Sequence, residues 1–168
     1  MRLGIENLGF IYERSALFFC NVEESKRILY PVVEGLEARV ESIEEADGRA
    51  AAVKILLAEM KKQGPKIPVI TDGPGGAYAM DSDDAIYFCP MHPDPKPPID
   101  RTGAGDSFSS TFTAIYAETG DIRQALLIGP LNSMNVVQHV GAQAGLQTRE
   151  EIDALLEKAP DFYKVEQI

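Results

Sequence analysis

The sequence predicts an α/β fold, with helices packed on a largely parallel sheet. Three observations predict it. Short apolar runs of strand length alternate with longer stretches whose apolar residues recur at helical spacing. The boundaries between them carry capping residues, glycines and prolines. The hydrophobic share of 45% over 168 residues is enough for a real core.

The elements follow in order. "SALFFC", at 15–20, is a short apolar run and reads as a buried strand. "NVEESKRIL" follows at once as a helix: Asn21 can cap it, and Glu24 stands three residues on, the spacing of a capping box. The acidic stretch 37–47 reads as a solvated helix face. In "EADGRAAAVKILLAEMKKQG", Ala51, Val53, Leu56, Leu57 and Met60 share one helical face, and Gly64 stops the helix ahead of Pro65. "KIPVITDG" is a second buried strand ending in a turn, and "GAYAMDSDDAIYFCP" is a hairpin around the polar turn 81–84. "MHPDPKPP" must be extended, because proline removes donors and restricts the residue before it. A helical pattern runs from Gly105 to Glu118. "DIRQALLIGPLNSMNVVQHVG" is one helix or two, with Gly129-Pro130 as a break or kink. "TREEIDALLEKAP" closes the chain with a helix capped by Thr148, and Glu151 completes a second capping box.

Charge narrows the function. Lysine and arginine number 16 against 26 acids, a formal net charge of -10. Such a chain is a poor partner for nucleic acid or an anionic membrane. A phosphorylated ligand would have to be held by local devices, namely backbone N–H groups and metal ions. No apolar stretch has the length to span a bilayer. "MRLGIENLGFIYERS" is interrupted by charge and lacks a leader's apolar core. The two cysteines, Cys20 and Cys89, lie inside apolar runs and read as buried, reduced thiols of a cytoplasmic protein.

In an open α/β sheet, ligands bind beyond the carboxyl ends of the strands. Three motifs fall there. In Gly103-Ala104-Gly105-Asp106 the glycines let the backbone approach a ligand closely, and a helix begins at once. Free N–H groups at a helix N-terminus and the positive end of its dipole make an anion hole. An acid in that first turn can take a proton from an attacking hydroxyl. The plain alternative is that the glycines shape a tight loop and Asp106 caps the helix. No Gly-Lys-Ser/Thr follows, so this is not a Walker loop; Phe108 stands where a dinucleotide fingerprint needs its third glycine. The second motif, Thr71, Asp72, Gly73 and Gly76, leaves a strand as a turn of little bulk against which a nucleotide could lie, or which is only a left-handed turn. In the third, Asn21 could reach a phosphate and Glu24 a metal-bound water, or the pair only caps its helix. His92 and His139 have no partners at metal spacing, and the calcium-like start at Asp81 lacks its glycine and closing glutamate.

Taken together the motifs resemble a known family. "IDRTGAGDSFSSTFTA" closely resembles the C-terminal signature D-x-T-G-A-G-D-x-F of the ribokinase-like (PfkB) carbohydrate kinases. The N-x-x-E of Asn21–Glu24 and the T-x-G-x-x-G of Thr71–Gly76 fall in that family's order, and "HVGAQAGL" resembles the segment closing its nucleotide and cation region. The resemblance implies a three-layer α/β/α fold, mostly parallel with a β-hairpin, and ATP-dependent phosphorylation of a sugar or nucleoside hydroxyl. It implies Asp106 as catalytic base and Gly103, Ala104 and Gly105 as anion hole. Asn21 and Glu24 would organise phosphate and Mg2+ through water, and Thr71, Asp72, Gly73 and Gly76 would line the nucleotide. Asn132 would stand beside the adenine, with Asn135 competing for that place, and Asp100 and Thr102 would hold K+ where the family uses a monovalent cation.

Family members run to about twice this length, within the range of one large α/β domain. Residues 1–168 are therefore expected to be a single partial domain, the ATP-binding and catalytic-base half. By the resemblance, the N-terminal half is expected to lie outside these residues, and with it the Gly-Gly signature, most sugar-binding residues and the lid. The expected partners are a nucleotide, a sugar or nucleoside, and either the missing half or a second copy forming a homodimer. Two other readings stay open: a non-catalytic nucleotide-binding remnant, or a half-domain completed by another polypeptide.

Overall fold

The computed structural model describes residues 5–168, with the backbone alone at 5–8. The reading of the first residues as lacking a leader falls partly on residues 1–4, outside the described residues. The chain divides into two compact units, one reaching to Asp72 and including Tyr78–Ile86, the other made of Gly73–Ala77 and Tyr87–Ile168.

The first unit contains α1 (Ile5–Arg14), β1 (Leu17–Asn21), α2 (Val22–Leu29), α3 (Leu36–Asp47), α4 (Arg49–Lys62) and β2 (Ile67–Thr71). β1 and β2 run parallel, in register from Leu17 opposite Ile67 to Asn21 opposite Thr71. β3 (Ala77–Met80) lies on the other side of β2. A strand flanked on both edges and covered by helices reads as a continuous apolar run, and every residue of β2 but Thr71 is buried. Leu29, Val40, Leu56 and Met60 of the helices are fully buried, as is Ile70 within β2. The expected strand, capped helix and second strand are all present.

Two details differ from expectation, and a third, the stop at Gly64, is as expected. Helix α1 was not anticipated, because its charges hide a short amphipathic face; Tyr12 is buried there, its ring 4.9 Å from that of Phe18. Gly48, at φ 85°, separates α3 from α4; of the expected face of α4, Val53, Leu56, Leu57 and Met60 are buried, while Ala52 is buried in place of the half-buried Ala51. Gly64 is required by space as well as by its dihedral: a Cβ there would lie 2.5 Å from the Glu13 Cα. The hairpin turn is as expected. The Asp81 N–H donates to the Ala85 carbonyl at 3.0 Å, and the Asp81 carboxylate accepts from the N–H groups of Asp83 and Ala85, both at 2.9 Å.

The second unit holds most of β4 (Ile86–Cys89), with α5 (Ala104–Thr119), α6 (Ile122–Val136), α7 (Arg149–Leu156) and β5 (Glu166–Gln167). β4 and β5 pair antiparallel, with Tyr87 opposite Gln167. β5 is too short for any periodic signal. α5 packs closely on α6 because Gly129 presents no side chain: a Cβ there would stand 2.9 Å from the Phe108 ring. α6 is one helix with Pro130 inside it. Proline removes one ladder bond, and burial of Pro130 and its neighbours Gly129 and Leu131 offsets that loss. Thr148 and Glu151 form the expected capping box on α7. The Tyr163 hydroxyl donates to the Leu127 carbonyl at 2.6 Å and anchors the C-terminal segment to α6. Cys20 and Cys89 are free and buried, and burial pushes each thiol up to about 12. Among the described residues no helix is long and apolar enough to cross a membrane.

Candidate active site

The second unit carries the Gly103–Asp106 motif. Gly103 is the N-cap of α5 at φ 82°, a left-handed conformation that side chains rarely adopt. A Cβ on it would also stand 2.6 Å from the Cα and carbonyl oxygen of Ala142. No side chain caps the helix. The Ala104 N–H reaches back to the Arg101 carbonyl at 3.3 Å, while the N–H groups of Gly105 and Asp106 find no acceptor among the described residues. Asp106 is exposed in this first turn, and no described residue donates to its carboxylate. Of the two readings of Asp106, capping is therefore not realised. The Ala104 carbonyl accepts from Ser133 on α6 and from Ser107, both at 3.0 Å, which fixes the first turn to its neighbour.

Asp100 ties this loop to the 139–145 segment. One of its oxygens accepts from the Thr102 N–H at 2.9 Å and the other from the Gly141 N–H at 3.0 Å. These bonds, Thr102 first, hold the Asp100 carboxyl below the usual range. Gly141 stands 41 positions away in sequence, so this latch could not be read locally. Asn132 is buried, donating to the Thr111 hydroxyl at 2.9 Å and accepting from the Gln147 N–H at 2.8 Å. It joins α5, α6 and the approach to α7. Asn135 donates to the Gly145 carbonyl at 2.6 Å. Gly73 and Gly76 belong to the same unit. Gly76, at φ 92°, leaves no room for a Cβ, which would collide with the Cys89 carbonyl.

The first unit brings Asn21 and Thr71 side by side at the carboxyl ends of the two parallel strands. Asn21 and Glu24 form a reciprocal capping box, each side chain accepting the other's backbone N–H at 2.8 Å. The structural role that the sequence allowed for this pair is realised. Asp72 is held by Arg49, whose Nη2 is 2.8 Å and Nε 3.2 Å from it. Arg49 was missed in the sequence. Its one local signal is a cation at the first position of a helix, where the dipole disfavours it.

With this geometry in hand, comparison with known proteins settles the class. Residues 36–149 match the family described as pfkB family carbohydrate kinase, and the chain belongs to that family. It is similar to the ribokinase of Bacillus subtilis, 36% identical over 104 residues that make up 61% of this chain and 34% of that protein. Its fold matches the nucleoside kinase of Methanocaldococcus jannaschii, with a TM-score of 0.70 at 24% identity, over 92% of this chain and 44% of that one. It also matches the ribokinase of Arabidopsis thaliana complexed with ribose and ATP, with a TM-score of 0.70 at 18% identity, over 89% of this chain and 43% of that one. The expected family and ribokinase-like fold are thus borne out. The chain spans about a third of the curated relative and less than half of the two solved structures.

Proposed function

We propose that this chain acts in ATP-dependent phosphorylation of a sugar or nucleoside hydroxyl, with Asp106 as general base. The observation that carries the reading is the first turn of α5: an exposed carboxylate with no partner among the described residues, next to two backbone N–H groups that find no acceptor among them. Phosphoryl transfer needs positioning and charge neutralisation above all. Gly103, Ala104 and Gly105 form the anion hole for the moving phosphoryl group, and Asp106 takes the proton of the attacking hydroxyl. Asn21 and Glu24 are assigned to phosphate and Mg2+, and Thr71, Gly73 and Gly76, together with the backbone of Asp72, to the nucleotide.

The cations implied by this reading are hard, oxygen-seeking ions. Asp100 fits a monovalent cation as an oxygen ligand, since Thr102 and Gly141 favour the charged form of its carboxyl. Glu24 would hold Mg2+ through water, using the carboxylate that also closes the capping box. A bound Mg2+ would neutralise developing phosphate charge. For the nucleotide base, Asn132 remains the assigned neighbour.

The test is phosphate transfer from Mg-ATP to a panel of sugars and nucleosides, by the chain alone and with a candidate N-terminal half. In whichever setting turns over, Asp106→Asn should lower kcat about a hundred- to ten-thousandfold while Mg-ATP still binds. Unchanged turnover removes Asp106 as the base. Neither turnover nor thermal stabilisation by Mg-ATP in either setting sinks the kinase reading.

A further inference from the structure

Asp72 raises an electrostatic problem for the proposed function. It directly follows Thr71, at the strand end assigned to a nucleotide, and its side chain is only 12% exposed. A carboxylate there repels a polyanion, and the chain as a whole carries a net charge of -10. The first unit supplies one answer, Arg49. Its Nη2 and Nε bond to both oxygens of Asp72, at 2.8 Å and 3.2 Å. Its Nη1 bonds to Glu44 on α3 at 2.7 Å, and Nη2 also comes within 3.6 Å of Glu23, next to Glu24 in the first turn of α2. Lys26 closes the set on Glu44 at 3.0 Å.

Two further points show that Arg49 is placed for these partners rather than for its own helix. It opens α4, where the positive end of the helix dipole opposes a cation and where Asp or Glu would be favoured. Its planar fork meets Asp72 through two nitrogens, a geometry a lysine cannot reproduce. Gly48, at φ 85°, turns the chain between α3 and α4 directly before it, so Arg49 starts its own helix while bonding back to Glu44 on the preceding one.

We infer that Arg49 is a positioning residue for nucleotide binding: by gripping Asp72 it holds the end of β2 and masks the carboxylate that the Thr71–Gly73 turn itself carries. It acts through Asp72 and is not itself a catalytic residue. This rests on the nucleotide role proposed above for that strand end. A purely structural ion pair and a mask make different predictions, because only a mask becomes dispensable when the charge it covers is removed.

The experiment measures Mg-ATP affinity by titration calorimetry for the unmutated chain, Arg49→Gln, Arg49→Lys and the double variant Arg49→Gln/Asp72→Asn. Exposing one unit charge near a polyanion should weaken Arg49→Gln binding about three- to tenfold at low salt, with a smaller loss at high salt. Arg49→Lys, which keeps the charge and loses the fork, should fall between the two. The double variant should return to within about twofold of the unmutated chain. A double variant no better than Arg49→Gln, or an Arg49→Gln that binds as the unmutated chain does, overturns the inference. Hydrogen exchange without nucleotide separates this from failure of the kinase reading. Faster exchange at residues 71–73 in Arg49→Gln supports the grip on the turn, and unchanged exchange overturns it. An unmutated chain that binds no Mg-ATP either alone or with the N-terminal half overturns the kinase reading and the masking role together, and leaves the exchange result to decide the grip alone.

Discussion

Gly103 does two jobs that a side chain would spoil: it turns the chain at φ 82° and lets Ala142 approach. Gly103→Ala should therefore cost about 1–2 kcal/mol from the dihedral alone, with more from the collision with Ala142 backbone. A urea unfolding midpoint reads this loss. Asp100 makes a prediction in pH. Its folded carboxyl is held low by the N–H groups of Thr102 and Gly141, so its contribution to stability is present above the unfolded value and lost as pH falls through the lowered folded one. Since an unfolded Asp titrates near about 3.9, the gap in thermal midpoint between the unmutated chain and Asp100→Asn should be constant near neutrality. It should close below about pH 4. A gap that persists at acid pH would mean that the charge of Asp100 is not what holds the loop.

Capping boxes were legible in the sequence because they depend on residues three apart and a backbone turn the same residues create. Both the Asn21–Glu24 and the Thr148–Glu151 boxes formed as read. On α7, which buries only Ile152, the cap is a large part of what stabilises the helix. Thr148→Ala should cost about 1 kcal/mol in a denaturant titration, with exchange speeding up over residues 149–152. The hairpin was legible for the same local reason, through Asp81 and its turn. Helix α1 was not, since three charged residues within ten obscure a face whose worth comes from packing Tyr12 against Phe18. Nor was the continuity of α6 across Pro130, because local propensity disfavours proline there and burial overrides it.

At the scale of the whole molecule, any ligand that binds only the folded chain stabilises it by mass action. Mg-ATP at a hundred times its Kd should therefore add about 2.7 kcal/mol to the unfolding free energy, read as a rise in midpoint that grows with ligand concentration. ADP should do the same without turnover. A midpoint indifferent to either nucleotide would argue against the assigned roles of Thr71, Gly73 and Gly76.

The sequence by itself determined the class of fold, the order of most elements, their caps, and the family to which the chain belongs. It also singled out Asp106, because a small-residue turn opening a helix is a local pattern. Tertiary structure decided what those residues touch. It set Asn21 beside Thr71, gripped Asp72 with an arginine 23 positions away, and latched Asp100 to Gly141. It also left the Asp106 carboxylate without a partner among the described residues and gave Asn132 two. The division has a physical cause. Caps and turns are settled by dihedrals and hydrogen bonds over three or four residues, whereas a partner across the fold depends on how strands and helices pack, and no window of sequence contains both ends of that contact.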